Sequence, residues 1–333
     1  MSLSIWKGAC LAAAAAISLA IRPALAADSI PTKPEPGTFK LGTEPWLGYG
    51  QWDVAASKGF FAKRGLSKVE LVNFSEDKDL NAALASGQLD GANVASHTAM
   101  VMAAAGLPIK VIMLLDFSMT ADAILSGKDV NTVEDLKGKK IAFEQGTTSD
   151  ILLNYALQSK GMTIADVTPV PMPAADAGSA LIAGRVPVAV TYEPYLTAAR
   201  AQNHDVKLLF SAGVDPGLIS DVLVVRDSVL KEKPGQVLAM VEAWNDALTD
   251  YKANTAEDRG IIAKAVGSDL ASLNTAFDGV RFYSLAENKQ VLQGSYAQKT
   301  FLDVEQAATK AGILSSKVDA KDLIDPSFVE AAQ

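Results

Sequence analysis

The sequence predicts an α/β protein of two lobes, each built around a mostly parallel sheet that is flanked by helices. Short apolar runs alternate with stretches of helical periodicity from residue 39 onward, which is the pattern of successive βαβ units. This alternation begins again at Lys139, so the pattern occurs twice. The chain has 333 residues, and single cores tend to divide at about 250–300 residues, so two cores are expected.

The first run of elements is bounded by residues that favour helix ends. Ser75 is placed to cap the helix that begins near residue 80, with acidic residues in its first turn. Gly87 and Gly106 follow two helix ends, where glycine commonly adopts the left-handed conformation that stops a helix. We expect strands at 39–43, 69–74, 91–95 and 109–115, with helices at 80–86 and 98–105 and a helical stretch that ends at 58–61.

The second run repeats this order. Segments 85–92 and 182–189 are alike, because each ends a helix at a glycine and continues into a strand, although the match is short. We expect strands at 140–143, 167–172 and 186–192, with helices at 150–159, 174–183 and 195–202.

The chain after residue 210 is richer in helices than in strands. A strand is expected at 220–225, followed by a long helix at 234–252 in which Trp244 lies on the apolar face, as is typical of a core position. Thr255 and Asp258 have the spacing of a capping box that would open a further helix. We expect this helical tail to pack against a lobe that has already formed.

The first 26 residues have the pattern of a secretory signal peptide. A weakly basic start is followed by an apolar run at 9–21 and by the small-x-small motif Ala24-Leu25-Ala26. The apolar run is shorter than the ~20 residues that a membrane-spanning helix needs. Cleavage after about Ala26 would remove Cys10, the single cysteine, and would leave residues 27–38 as a linker in a periplasmic protein without disulfides.

Charge and motif content argue against several classes of function. Removing Lys7 and Arg22 with the leader leaves 28 basic and 38 acidic residues, a balance that disfavours nucleic acid as a partner. His97 and His204 have no neighbours at metal-ligand spacing, and the chain lacks the Gly-x-Ser-x-Gly, phosphate-loop and His-Glu-x-x-His motifs. We therefore expect no metal, no cofactor and no enzymatic activity.

Several short motifs, taken together, resemble a known family. They are the turn at 46–49 with the helix end at 58–61, and then the segments 84–92, 116–124, 135–142 and 192–195. In this order and spacing they resemble the solute-binding proteins of nitrate, sulfonate and taurine ATP-binding-cassette (ABC) importers. The resemblance covers residues 39–298.

The resemblance implies a periplasmic-binding-protein fold of type II, in which the chain crosses between the lobes twice and a small-molecule solute is enclosed between them. Lobe one would comprise residues 39–118 and 222–333, and lobe two residues 119–221, with crossovers near 118–122 and 211–221. It also implies a monomer that delivers its solute to an ABC permease and its ATPase.

Candidate binding residues follow the strands, because ligands of open α/β sheets bind beyond the carboxyl ends of the strands. Trp46, Tyr49 and Trp52 would form aromatic walls, although Trp52 could equally lie in the core. His97 could donate to an anion or bond to its own surroundings. The predicted site comprises Glu44, Trp46, Gly48, Tyr49, Gln51, Trp52, Ser96, His97, Asp116, Ser118, Glu144, Thr147, Thr148, Tyr192 and Glu193.

The charges of these segments predict the chemistry of the solute. They contain four carboxylates and no Lys or Arg, so a bound amine, amidine or amide would supply the partner that buried carboxylates need. A zwitterion or a guanidinium- or urea-like solute is therefore favoured. Two alternatives stay open: an aliphatic sulfonate, taurine or nitrate held by the helix start at 146–149, with Asp116 and Glu193 structural, or a solute-sensing module.

Overall fold

The computed structural model describes residues 30–333, so the predicted signal peptide and residues 27–29 of the predicted linker lie outside the described residues. Two sheets and their flanking helices make up this part of the chain. The strands are β1 Thr38–Thr43, β2 Lys68–Asn73, β3 Gly91–Ala95, β4 Ile109–Ser118, β5 Asp122–Ser126, β6 Lys140–Phe143, β7 Thr168–Pro171, β8 Val188–Tyr192, β9 Lys207–Ser211, β10 Ser220–Arg226 and β11 Val280–Phe282.

The helices lie where the periodicity places them, within two or three residues at most ends. They are α1 Gln51–Ser57, α2 Phe60–Lys63, α3 Asp77–Ala85, α4 Ser96–Ala104, α5 Thr148–Gln158, α6 Ala174–Ile182, α7 Tyr195–Gln202, α8 Asp227–Glu232, α9 Pro234–Ala253, α10 Thr255–Ala265, α11 Leu270–Leu273, α12 Leu285–Val291, a π-helix Leu292–Thr300, α13 Phe301–Lys310, α14 Ala320–Leu323 and α15 Ser327–Ala331. No helix within residues 30–333 is both long and apolar enough to cross a membrane.

The two sheets share one strand order, which confirms the predicted α/β class. The first sheet runs β11-β4-β10-β3-β1-β2 and the second runs β7-β6-β8-β5-β9. Apart from β11, each position of one sheet has its counterpart in the other. In each sheet most strands are parallel, whereas β10 with β11 in the first sheet and β5 in the second run in the opposite direction.

The similar segments 85–92 and 182–189 occupy equivalent places in the two sheets. The first joins α3 to β3 and the second joins α6 to β8, and β3 and β8 hold the same position in the strand order. Gly87 and Gly184 both adopt the left-handed conformation, with φ of 80° and 68°, and Gly106 does so as well. The predicted glycine stops at Gly87 and Gly106 are therefore confirmed.

Two predicted caps are wrong. Glu76, not Ser75, occupies the N-cap position of α3. Thr255 is the first residue of α10 rather than its cap, because α10 follows α9 almost directly and the Thr255 hydroxyl donates to the Tyr251 carbonyl of the preceding turn, at 2.8 Å. The Asp258 carboxylate instead pairs with Lys58 Nζ at 2.6 Å.

The chain passes between the sheets twice. It leaves the first sheet at the end of β4 and enters the second at β5, and it returns between β9 and β10. Helix α9 and the helices after it surround the first sheet, where Trp244 is fully buried as predicted and donates to the Tyr283 carbonyl. We keep the predicted lobe bounds, 39–118 with 222–333 and 119–221, as a proposal and use the terms lobe one and lobe two in that sense.

Candidate functional site

A cavity lies between the two lobes where strands of both sheets end. Its volume is about 40 Å³, which holds roughly three water-sized groups. Lobe one contributes the turn after β1, the start of α3 and the end of β3, lobe two contributes the starts of β5 and α5 and the end of β8, and the second crossover contributes the start of β10. The lining residues are Glu44, Trp46, Tyr49, Asp77, Leu80, Asn81, Asn93, Val94, Ala95, Asp122, Thr147, Thr148, Tyr192, Ile219 and Asp221.

Six of the predicted site residues line this cavity: Glu44, Trp46, Tyr49, Thr147, Thr148 and Tyr192. Trp46 of lobe one meets Tyr192 of lobe two edge to face, with ring centroids 5.8 Å apart at 87°. The two lobes are therefore in contact through aromatic rings at the cavity, so a solute held here touches both lobes.

Two aromatic donors bind carboxylates beneath the cavity. Trp46 Nε1 donates to Asp116 Oδ1 and the Tyr49 hydroxyl donates to Asp221 Oδ1, each at 3.1 Å. Asp116, a predicted site residue, is fully buried and does not line the cavity. It instead fixes the orientation of the Trp46 indole.

Gly48 lies against this pair and also does not line the cavity. A methyl group on its Cα would overlap both the Trp46 indole nitrogen and the Asp116 carboxylate. The absence of a side chain at Gly48 therefore permits the Trp46–Asp116 hydrogen bond.

Gly48→Ala is expected to displace the Trp46 indole from Asp116, because the added methyl group has no space. Overpacking of this kind typically costs about 1–3 kcal/mol, and we expect both a lower free energy of unfolding and weaker solute binding. Gly127→Ala is the control, since its methyl group would meet the Pro187 carbonyl oxygen at an ordinary 3.7 Å. Chemical denaturation and calorimetric titration measure the two effects. A G48A protein as stable and as tight-binding as G127A would contradict the assignment.

Trp52 and Gln51 belong to the core rather than to the cavity wall. Trp52 is 1 % exposed, stacks on Phe61 and contacts Trp244 at 4.9 Å between ring centroids. Its Nε1 donates to Asn93 Oδ1 at 3.0 Å. Gln51 is fully buried in the first turn of α1 and is absent from the cavity lining.

Ser96, His97 and Ser118 are engaged in contacts within the protein. Ser96 Oγ bonds to Ser220 Oγ at 2.9 Å and to the Tyr296 hydroxyl at 2.8 Å. Ser118 Oγ accepts from the Asp122 backbone N–H. His97 Nε2 lies 3.3 Å from the Gly146 carbonyl oxygen of lobe two, and burial lowers its pKa to about 4, so the imidazole is neutral and its N–H joins the lobes.

Glu144 and Glu193 accept hydrogen bonds from lobe two. Glu144 Oε2 accepts from the Ala174 N–H at 3.0 Å. Glu193 accepts from both the backbone N–H and the hydroxyl of Thr197, each at 3.0 Å, which places it on the first turn of α7. Neither of these two predicted site residues lines the cavity.

The start of α5 is less open to an anion than the sequence suggests. The Gly146 N–H donates to Asp150 Oδ2 at 2.9 Å and the Ser149 N–H donates to Thr147 Oγ1 at 3.3 Å. Two of the N–H groups that would hold an acceptor atom are therefore already paired within the helix start.

Sequence reasoning missed three acidic residues of the cavity: Asp77, Asp122 and Asp221. Asp77 follows β2, and the strand-end rule would have found it had it been applied to that strand. Asp122 and Asp221 begin β5 and β10, which run opposite to their neighbours, so their amino ends lie where the other strands end. The sequence could have indicated both residues in one way, because Asp122 and Asp221 lie in the predicted crossovers between the lobes.

The cavity is strongly acidic, and no Lys or Arg appears among its described lining residues. Burial, with repulsion from Asp77, raises the pKa of Glu44 well above its usual range. Burial likewise raises the pKa of Asp77 to about 6 and the pKa values of Asp122 and Asp221 to about 7. Each shift reflects charge that has lost water without gaining a cation.

The hydrogen-bonding groups of the cavity are asymmetric. The donors of Trp46, Tyr49 and Thr147 and one N–H of Asn93 are already used, the last two by the Glu144 carbonyl oxygen and Thr43 Oγ1. Glu44 Oε1 and Asn81 Oδ1, in contrast, are buried acceptors that receive no N–H group of the described residues, and the Glu44 carboxyl lies within hydrogen-bond contact of the Asp77 carboxyl. Tyr192 offers a hydroxyl that can donate or accept. A molecule that supplies N–H donors and positive charge therefore complements this cavity.

Metal binding has no support in the described residues. Within 30–333, no three His, Cys, Asp or Glu side chains are arranged to hold a metal ion, although several carboxylates share the cavity.

Comparison with known proteins places the fold among solute-binding proteins. The NMT1/THI5-like family model matches residues 52–257. A Bacillus subtilis (strain 168) protein, whose name assigns it to aliphatic sulfonates, is 26% identical over 285 residues, which cover 84% of this chain and 83% of that one. The riboflavin-binding protein RibY of Chloroflexus aurantiacus is 27% identical over 304 residues, covering 88% and 85%.

A solved structure agrees with these relatives. The alkanesulfonate-binding protein SsuA from Xanthomonas axonopodis pv. citri, bound to MOPS, superposes with a TM-score of 0.72 at 20% identity, and the match covers 88% of this chain and 99% of that one. At this identity the likeness shows the fold.

Proposed function

This chain belongs to the NMT1/THI5-like family of periplasmic solute-binding proteins, and we propose that it captures a small, positively charged nitrogenous solute between its lobes and delivers it to an ABC permease. Amines, amidines and guanidinium-like compounds are the solutes meant. The observation that carries the proposal is the Glu44 carboxylate oxygen, which is buried beside the Asp77 carboxyl without an N–H partner, in a cavity whose described lining holds four carboxylates and no basic residue.

Family membership leaves the solute open. Relatives at 26% and 27% identity carry the names of chemically unrelated ligands, aliphatic sulfonates and riboflavin. The solute class is therefore argued from the contacts that this cavity offers. A charged N–H donor that meets buried carboxylates forms the stronger, charge-assisted kind of hydrogen bond.

A bare sulfonate or nitrate fits the cavity poorly. Both present acceptor oxygens and negative charge, whereas the cavity offers unpartnered acceptors beside Asp77, Asp122 and Asp221. Taurine is the second candidate, since relatives of this family include a taurine-binding periplasmic protein of Escherichia coli (strain K12), 29% identical over 204 residues. Its ammonium group could meet the carboxylates.

The proposed mechanism is closure without covalent chemistry. A solute that touches Glu44 of lobe one and Asp122 of lobe two makes both sets of contacts only when the lobes are together, so it stabilises the closed form. The permease would recognise that form. The small cavity limits the solute to a few non-hydrogen atoms in this conformation.

A thermal-shift screen tests the solute class. The protein without its leader would be heated at about pH 8 with guanidinium, methylamine, putrescine, urea, taurine, methanesulfonate or nitrate. We expect the cations to raise the melting temperature and the bare anions to leave it unchanged, because only a cation neutralises the lining carboxylates. Small-angle scattering should show compaction with the same cations. Stabilisation by the anions alone would overturn the proposal.

A further inference from the structure

Asp116 and Asp221 form a buried carboxylate pair at the junction of the lobes. They are direct partners in the antiparallel ladder between β4 and β10, and their side chains lie within hydrogen-bond contact. Asp116 is fully buried and Asp221 is 3 % exposed. Two carboxylates this close cannot both be ionised without a cation, so they hold a proton between them.

The other hydrogen bonds of the pair show where that proton lies. Asp116 Oδ1 accepts from Trp46 and Asp221 Oδ1 accepts from Tyr49, whereas Asp116 Oδ2 has no N–H or O–H donor among the other residues of 30–333. The proton therefore belongs between Asp116 Oδ2 and Asp221. An unpartnered carboxylate oxygen in a fully buried residue would otherwise carry a large desolvation cost.

Among the described residues, the surroundings of the pair supply no positive charge. The titratable groups that influence it are acids or phenols, from the turns after β1 and β11, from α3, from β5 and from the π-helix. They are Glu44, Tyr49, Asp77, Asp122, Tyr283 and Tyr296. A proton is therefore the available neutralising charge until a cationic solute arrives.

We propose that Asp116 and Asp221 share one proton in the solute-free protein, and that a cation bound beside Asp221 expels it, so that solute capture exchanges one positive charge for another. The O–H bond of the pair breaks, the proton passes to water, and the negative charge that remains faces the solute. Only Asp221 lines the cavity, so Asp116 is a positioning residue that acts through the proton. The exchange step rests on the proposed function, whereas the shared proton does not.

The exchange predicts a pH profile. Burial and the neighbouring Asp221 carboxyl raise the pKa of Asp116 well above its usual range, so below that raised pKa a cation must compete with the shared proton and affinity rises with pH. The free energy of unfolding of the solute-free protein, in contrast, falls as pH rises. The folded pKa of Asp116 lies above the unfolded value of about 4, so the pair's stabilising contribution is complete at low pH and is lost as pH rises from about 4 through that raised pKa.

Asp116→Asn is the decisive variant, because its amide can accept from Trp46 and donate to Asp221 in place of the shared proton. Titration calorimetry with the guanidinium ion, in buffers of different ionisation enthalpy near pH 6.5, counts the protons released. We expect the parent to release protons on binding and D116N to release fewer, by up to one proton. Asp53→Asn is the control, since Asp53 is a half-buried acid outside the cavity whose pKa is also raised, to about 6.

Melting curves of the solute-free proteins between about pH 5.5 and 8.5 test the shared proton by itself. The parent should lose melting temperature as pH rises, and D116N should lose less over the same range. If D116N does not fold, Asp221→Asn serves as the second variant, because it removes the same carboxylate pair.

If the melting temperatures of parent and variant fell equally with pH, the shared proton would be overturned. If parent and variant released equal numbers of protons on binding guanidinium, the exchange would be overturned. If no cation binds, the exchange and the proposed solute class both fail, while the melting curves still decide the shared proton.

Discussion

Replacing Glu44 by Gln is expected to weaken the binding of a cationic solute by more than tenfold. Glu44 Oε1 is buried at the cavity without a hydrogen-bond partner, so it is the acceptor best placed for an N–H donor of the solute. Charge-assisted hydrogen bonds contribute about 1.5–3 kcal/mol, and each 1.4 kcal/mol is about tenfold in affinity. Glutamine keeps the shape and removes the charge. Without solute the variant should be at least as stable, because Glu44 and Asp77 no longer repel each other.

Glu76→Gln is the matched control for this experiment. Glu76 neighbours Asp77 at the start of α3, carries the same charge and does not line the cavity. Both variants would be titrated calorimetrically with guanidinium at about pH 8 and moderate salt. The comparison separates the loss of a direct contact with the solute from the loss of a charge further away, and E76Q should change the affinity by less than about twofold. Equal weakening in both variants would mean that only the overall acidic field attracts the solute. Unchanged affinity in E44Q would remove Glu44 from the site.

The fold could be predicted because its determinants are local in sequence. Alternating apolar runs and glycine stops such as Gly87 and Gly184 are short-range patterns, and they occur once per lobe in equivalent places. Helix starts were less predictable. The Thr255 hydroxyl donates a hydrogen bond to a carbonyl of the preceding helix, and a rule based on residue spacing takes no account of how closely two helices follow each other.

The site was predictable only where strand direction was known. Glu44, Thr147 and Tyr192 follow strands that share one direction, and the strand-end rule found them. Asp122 and Asp221 begin strands of the opposite direction, which depends on how the chain returns between the lobes. The predicted site and this cavity each contain four carboxylates, but they share only Glu44.

Whether an aromatic residue faces a ligand or the core depends on packing rather than on sequence position. Trp46 and Trp52 are six residues apart in one segment, yet Trp46 lines the cavity and Trp52 lies against Phe61 and Trp244. Trp52 lies on α1, which packs against α9, whereas Trp46 lies in the turn before α1, and that packing is a tertiary property.

Trp52→Ala is expected to lower the free energy of unfolding by about 3–5 kcal/mol. Removing a fully buried indole leaves a cavity between Phe61 and Trp244, and large-to-small changes of this kind carry that cost. It also leaves Asn93 Oδ1 without its donor. Urea unfolding followed by circular dichroism measures the loss without depending on tryptophan fluorescence.

Trp46→Ala is the comparison that assigns the two indoles to different roles. Its removal enlarges a cavity that already exists between the lobes, and water can enter that space, so we expect a smaller loss of stability and a larger loss of affinity than in W52A. If W52A does not fold, Trp52→Phe keeps most of the ring and still removes the bond to Asn93. If a Trp52 variant kept its stability but lost solute binding, Trp52 would have to be assigned to the cavity wall, because packing against the core could not explain that result.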